Sequence, residues 1–160
     1  MMPPESWIVF FEWCEATFLG TAVRNSIYAF PLIEAVHLVA LCVMGGALIM
    51  VDLRLLGLGM KDQEAGHLAR LVRPWLVGAL VVMLSSGVLL FLSEAIKCFY
   101  NTSFWVKMIT LPIALAFTFI VRDPRITKRT PTVMQSRMLG SASMVLWFVV
   151  AAAGRWIGFS

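Results

Sequence analysis

Residues 30–57, FPLIEAVHLVALCVMGGALIMVDLRLLG, decide the fold. Within and just before them, positions 27–51 are apolar apart from Glu34 and His37. About 20 such residues suffice to cross a bilayer core, so the run is long enough to span. A carboxylate and an imidazole three apart share one helix face, and each ionisable group is costly to insert among lipid tails. Asp52 and Arg54 close the stretch as a polar stop at the water boundary.

Composition extends this to the whole chain. The 160 residues are 60% apolar and 14% charged, with a mean hydropathy of +0.86, against about a quarter charged in a soluble domain. They predict a single all-α transmembrane domain over residues 1–160, a polytopic four-helix bundle preceded by an amphipathic interfacial helix. The net charge of +4 would point to nucleic acid only if it formed a surface patch. The basic residues sort by membrane side instead, so nucleic acid is excluded and the lipid bilayer is the expected partner. Cys14, Cys42 and Cys98 form no CxxC and no metal-ligand spacing. Cys42 reads as a small apolar filler, while Cys14 and Cys98 fall on one side, which leaves pairing open.

In chain order, the opening MMPPESWIVFFEWCEATFLG lacks a basic start followed by a cleavage site, so no signal peptide is expected. Pro4 suits a first helical turn. Trp7, Phe10, Phe11, Cys14 and Phe18 then repeat at helical spacing, with Glu5, Glu12 and Glu15 elsewhere on the wheel, predicting an interfacial helix over about 4–20. The first span covers 27–51, with a kink expected at Pro31 and close helix approach at Gly45 and Gly46. Asp62 is a candidate cap for the helix that runs through HLARLVRP into a second span, about 74–94. Ser103 is the candidate cap of a third, about 104–121, which carries Lys107 and Pro112. A basic loop, RDPRITKRTPT, leads through Pro131 to a fourth, about 138–157. Gly140, Ser143, Trp147, Val150 and Gly154 stripe that last helix, and small residues there let backbones approach.

The linkers after spans one and three carry Arg54, Lys61, Arg70, Arg73, Arg122, Arg125, Lys128, Arg129 and Arg137, nine of the 13 Lys and Arg. The positive-inside rule places these in the cytoplasm. Both termini then face the outer, periplasmic side of a bacterial inner membrane.

Depth ranks the remaining polar residues. At about 1.5 Å per residue, Glu34, His37, Lys107 and Arg155 all fall in the outer half of the bundle, where they form a candidate buried polar cluster. Glu34 would need a cation or a proton there, and Lys107 or Arg155 is the expected partner unless both snorkel to the headgroups. Asp52, Arg54, His67, Arg70 and Arg73 gather at the opposite edge and predict a solvated rim with an Asp52–Arg pair. His67 lies about 20 Å of helix rise from the level of His37, so the two cannot share one metal. His37 reads as a satisfied core histidine, a cofactor ligand or a proton relay.

FPLIEAVH, VDLRLLG, the RPW entering span two, the Asn101…Phe104…Lys107 pattern and the terminal GRWIGF resemble a family of small bacterial inner-membrane proteins of unassigned function. Nearly the whole chain is covered. More distantly, His37, Arg54, Pro74 and Lys107 are similar in order and spacing to HemJ-type protoporphyrinogen oxidases and the CopD copper-resistance membrane domain. That resemblance implies a haem b ligand at His37 and a functional lysine at Lys107. The chain departs from HemJ in having Asp52 where that family has a proline–arginine pair.

Two functions follow. One is a haem-b-binding redox protein with His37 as axial and metal-binding residue, and Lys107 and Arg155 as cofactor-binding cations for the propionates. The other is a non-catalytic membrane subunit or small transporter, with a membrane or periplasmic protein partner, in which the cluster is a clamp or an ion path. Copper handling through Cys42, Met44 and Met50 is a variant of the first.

Overall fold

The computed structural model describes residues 5–128 and 131–159. Pro4, at the expected start of the first helix, and Arg129, in the basic loop, lie outside the described residues. A 3-10 turn at Glu5–Trp7 leads into α1 (Ile8–Glu15) and α2 (Phe18–Asn25). The first span is α3 (Ala29–Leu56) and the second is α4 (Ala65–Ser93). A short α5 (Ala95–Tyr100) precedes the third span, which runs from α6 (Thr102–Ala116) through a π-helical segment (Phe117–Arg122) into α7 (Asp123–Lys128). The fourth is α8 (Val133–Ile157). All four long helices are long and apolar enough to cross a membrane, so the chain is an all-α, multi-pass membrane protein.

The helix ends correct several sequence expectations. Pro31 does not kink α3: the helix begins at Ala29, so the proline sits in a first turn, where its missing N–H has no intrahelical partner to lose. At the other end Gly57 adopts φ 79°, and the N–H groups of Gly57 and Leu58 reach back to the Arg54 and Leu53 carbonyls at 3.1 and 3.0 Å, a Schellman closure that favours glycine. Glu64, not Asp62, occupies the N-cap of α4, without a side-chain bond. Asn101, not Ser103, caps α6, accepting from the Ser103 N–H at 2.8 Å. Thr132 and Gln135 form a reciprocal capping box at the start of α8.

The expected single interfacial helix is two helices, broken at Ala16–Thr17, where the Thr17 side chain accepts from the Gly20 N–H. The aromatic stripe also divides. Phe11 and Cys14 are buried against Ala95 and Phe99, with Phe91, Phe104 and Trp105 packed around them, whereas Trp7, Phe10, Trp13 and Phe18 point outward. Such rings suit the headgroup level of a membrane. Glu15 stays inside the fold, joining Arg24 of α2 at 2.5 Å and accepting the Ile96 N–H at the start of α5 at 2.8 Å. It therefore ties three short helices over the end of the bundle that carries both termini.

Between the spans, α3 packs on α4 and α8, and α6 packs on α8. The α4 helix meets the third span chiefly through α7, and nearer the terminal end a stacked pair, Phe91 and Phe104, bridges α4 and α6 at 5.6 Å. Met44, Leu48, Val51 and Leu55 of α3 form the core with Leu68, Val72 and Leu76 of α4 and Trp147 and Val150 of α8. Lipid is as apolar as these side chains, so close packing of small residues must hold the spans together. Gly140 supplies this: a Cβ there would lie 3.0 Å from the Asp52 carbonyl and from Leu55. Gly45 and Gly46 do not, since nothing lies within 4 Å of a Cβ at either.

Candidate functional site

His37 lies on the α3 stripe that continues through Leu41, Met44 and Leu48 into the core. Its ring is half-buried, and Nδ1 lies 2.8 Å from the hydroxyl of Ser86 on α4. Ser86 is itself buried and donates its one hydroxyl hydrogen to the Val82 carbonyl at 2.6 Å. The Met83 carbonyl also lies 3.3 Å from the Ser86 hydroxyl. One residue on, Gly87 leaves room for the imidazole edge: a Cβ there would sit 3.4 Å from Cε1.

Lys107 of α6 completes the arrangement from the far side. Its ammonium rests over Gly154 of α8, 3.4 Å from where a Cβ would be. Among the described residues no carboxylate pairs with it. Two glycines on two helices thus accommodate two polar side chains that face the same interior from α3 and α6.

The other two members of the expected cluster are elsewhere. Glu34 is exposed on the outer surface of α3 and makes no ion pair among the described residues, so the Glu34–cation clamp is not formed. It stands five residues from the start of α3, about 7.5 Å of rise, which brings a snorkelling carboxylate within reach of the headgroups. Arg155 is exposed too, with its guanidinium 4.3 Å from the centroid of Phe159. It nonetheless follows Gly154 in sequence and so shares the level of Lys107. Cys42 and Met50 are exposed on α3 while Met44 is buried, so these soft ligand types do not converge. Among the described residues no three of His, Cys, Asp and Glu gather as a metal site.

The short helices hold the two buried cysteines, both free. Burial pushes the Cys98 thiol up to about 11; the Glu94 and Glu15 carboxylates add to the shift, while Lys107 and Lys97 oppose it. Burial raises Cys14 as well.

At the opposite end the structure withdraws Asp52 from the expected solvated rim into a buried network. Asp52 and Arg122 are each 1% exposed and pair at 2.7 Å. The partner is thus Arg122, which the sequence places among the loop cations, and not a rim arginine. Arg122 also donates to Asp123 through Nε and to the Ser143 hydroxyl of α8, both at 3.0 Å. Arg54 is engaged otherwise, with Nε donating to the Gln63 carbonyl, and His67, Arg70 and Arg73 are exposed.

The π-helical segment explains how Arg122 turns inward. Ala114, Thr118, Arg122 and Ile126 are all buried, at intervals of four residues. At 100° per residue a regular α-helix would rotate this series by about 120° over three steps. A wider π turn holds a period of four on one face. Thr118, one turn before Arg122, accepts the Trp147 indole N–H at 2.9 Å and fixes the register against α8. Strict four-residue spacing was the one signal in the sequence that could have identified Arg122 as interior.

A search with the chain matches no curated protein and no solved structure. A family model does match it, over residues 10–160, from α1 to the C-terminus. With the four spans and both polar sites inside that range, the chain belongs to DUF6644, a family of unknown function.

Proposed function

We propose that this membrane protein binds haem b in the half of the bundle nearest its termini, with His37 as an axial ligand through Nε2. The observation that carries the reading is the anchoring of Nδ1 by Ser86, the arrangement typical of histidines that hold a metal through the other nitrogen. A bare ion would ask for several side chains, whereas haem brings four nitrogens of its own and needs one or two from the protein. Lys107 and, at the same level, Arg155 offer cations for two propionates. Leu41, one turn on from His37 and only partly buried, offers an aliphatic contact for a macrocycle. Bound haem would supply one-electron redox chemistry, and the chain would supply orientation and a dry surround.

Protein purified from haem-replete cells is expected to show a Soret band. His37→Ala should remove it while leaving insertion and helical content unchanged, and Lys107→Met should weaken haem retention. A colourless wild type would retire haem and leave the second reading, a non-catalytic membrane subunit or small transporter. That reading draws on the ammonium of Lys107, which has no carboxylate partner among the described residues.

We also infer that the membrane is a bacterial inner membrane and that both termini face the periplasm. The support is the excess of Lys and Arg at the end formed by the α3–α4 and α7–α8 connections. Alkaline phosphatase fused after Arg125 is expected to be inactive and after Ser160 active. The reverse pattern would invert the orientation.

A further inference from the structure

We propose that Ser86 and Gly87 are positioning residues: one turn of α4 seats the His37 imidazole as its Nδ1–H tautomer and leaves Nε2 as its only ligating atom. The ligand class, an iron held in a planar macrocycle, rests on the haem reading above; the seat itself does not.

The tautomer follows from counting hydrogens. A serine hydroxyl has one hydrogen and two lone pairs. That hydrogen goes to the backbone of the preceding turn, to the Val82 carbonyl at 2.6 Å with the Met83 carbonyl at 3.3 Å beside it, the usual back-bond of a serine within a helix. The Ser86 oxygen, 2.8 Å from Nδ1, must then accept. The Ser86 oxygen therefore requires a hydrogen on the ring nitrogen that faces it. In a neutral imidazole the other nitrogen, Nε2, then carries the lone pair.

Gly87 sets how far the ring can settle onto α4. A Cβ at 87 would already touch Cε1 at 3.4 Å and approach Nδ1 at 3.9 Å. Alanine is at the limit of contact, and a branched side chain must displace the ring. Ser86 is buried and α4 is continuous through this turn, so the seat is built on a rigid element, which is what precise ligand orientation requires.

The test uses full-length protein labelled with 15N-histidine and read by NMR in detergent, well above the ordinary histidine pKa of about 6.5. His67→Gln assigns the two ring systems. Wild type is expected to show His37 with a protonated Nδ1 and a bare Nε2. Ser86→Ala should shift the population toward the Nε2–H form, Ser86→Thr should restore it, and Gly87→Val should alter it where Gly87→Ala does not. In haem-loaded protein Ser86→Ala should weaken retention about 10- to 100-fold, the usual effect of losing an outer-shell partner, with Ser86→Thr rescuing. An Nε2–H wild type, or a tautomer indifferent to Ser86→Ala, overturns the seat whether or not the protein is coloured. A colourless wild type with Nδ1–H upholds the seat and retires only haem.

Discussion

Arg122→Ala is expected to destabilise the protein by about 3–5 kcal/mol, the range for removing one partner of a buried ion pair. The guanidinium is the only cation in contact with Asp52 and Asp123 among the described residues, and it supplies the hydrogen bond to Ser143. Its loss leaves two carboxylates facing one another without a counter-charge, in a network that joins α3, α7 and α8. Asp52→Asn should cost less, because Arg122 keeps Asp123 and the amide oxygen still accepts. Replacing Asp52, Arg122 and Asp123 together by leucine should recover much of the loss, since apolar substitution of a whole buried ionic group is often neutral. Thermal unfolding in detergent, followed by far-ultraviolet circular dichroism, ranks the variants. An Arg122→Ala protein within about 1 kcal/mol of wild type, a loss far below that range, would mean that water reaches the carboxylates and that the network is not a lock.

Gly66→Val is the second large effect. A Cβ on Gly66 would run into the Ile126 carbonyl oxygen of α7, with the carbonyl carbon at 3.2 Å and the Thr127 Cα at 3.3 Å. Backbone cannot rotate away as a side chain can, so α4 and α7 must separate. Overpacking of this kind costs about 1–3 kcal/mol or more, and here it opens the main contact between α4 and the third span. Gly45→Ala and Gly46→Ala are the controls, because nothing lies within 4 Å of either. These should be neutral or stabilising by up to about 1 kcal/mol, the helix-propensity difference between glycine and alanine. If Gly66→Val melted like Gly46→Ala, the close crossing of α4 and α7 would be wrong.

The contrast among these glycines marks the boundary between sequence and tertiary structure. The four spans were legible because the bilayer fixes the length of an apolar run and because a polar backbone in lipid must close its own hydrogen bonds as helix. The stripe of α8 was legible for a similar reason: Gly140, Ser143, Trp147 and Val150 recur at helical spacing, and all four are buried. The interior placement of His37 could be read from its own helix in the same way, since Leu41, Met44 and Leu48 repeat its phase.

Partners across helices could not be read. Glu34 and His37 are three apart, yet one is exposed and the other is half-buried against Ser86, because rotation of a span about its axis is set by its neighbours and not by its own residues. Arg122 looked like the first residue of a basic loop, as a charge at the end of an apolar run usually is. A π turn and the meeting of its neighbour Asp123 with Asp52 and Ser143 from other helices made it an interior cation. Composition and periodicity determined that this chain crosses a membrane four times. Which polar groups are turned inward, and toward what, only the packing of four helices decided, because an ionisable side chain in lipid goes wherever a counter-charge or a hydrogen bond offsets its desolvation.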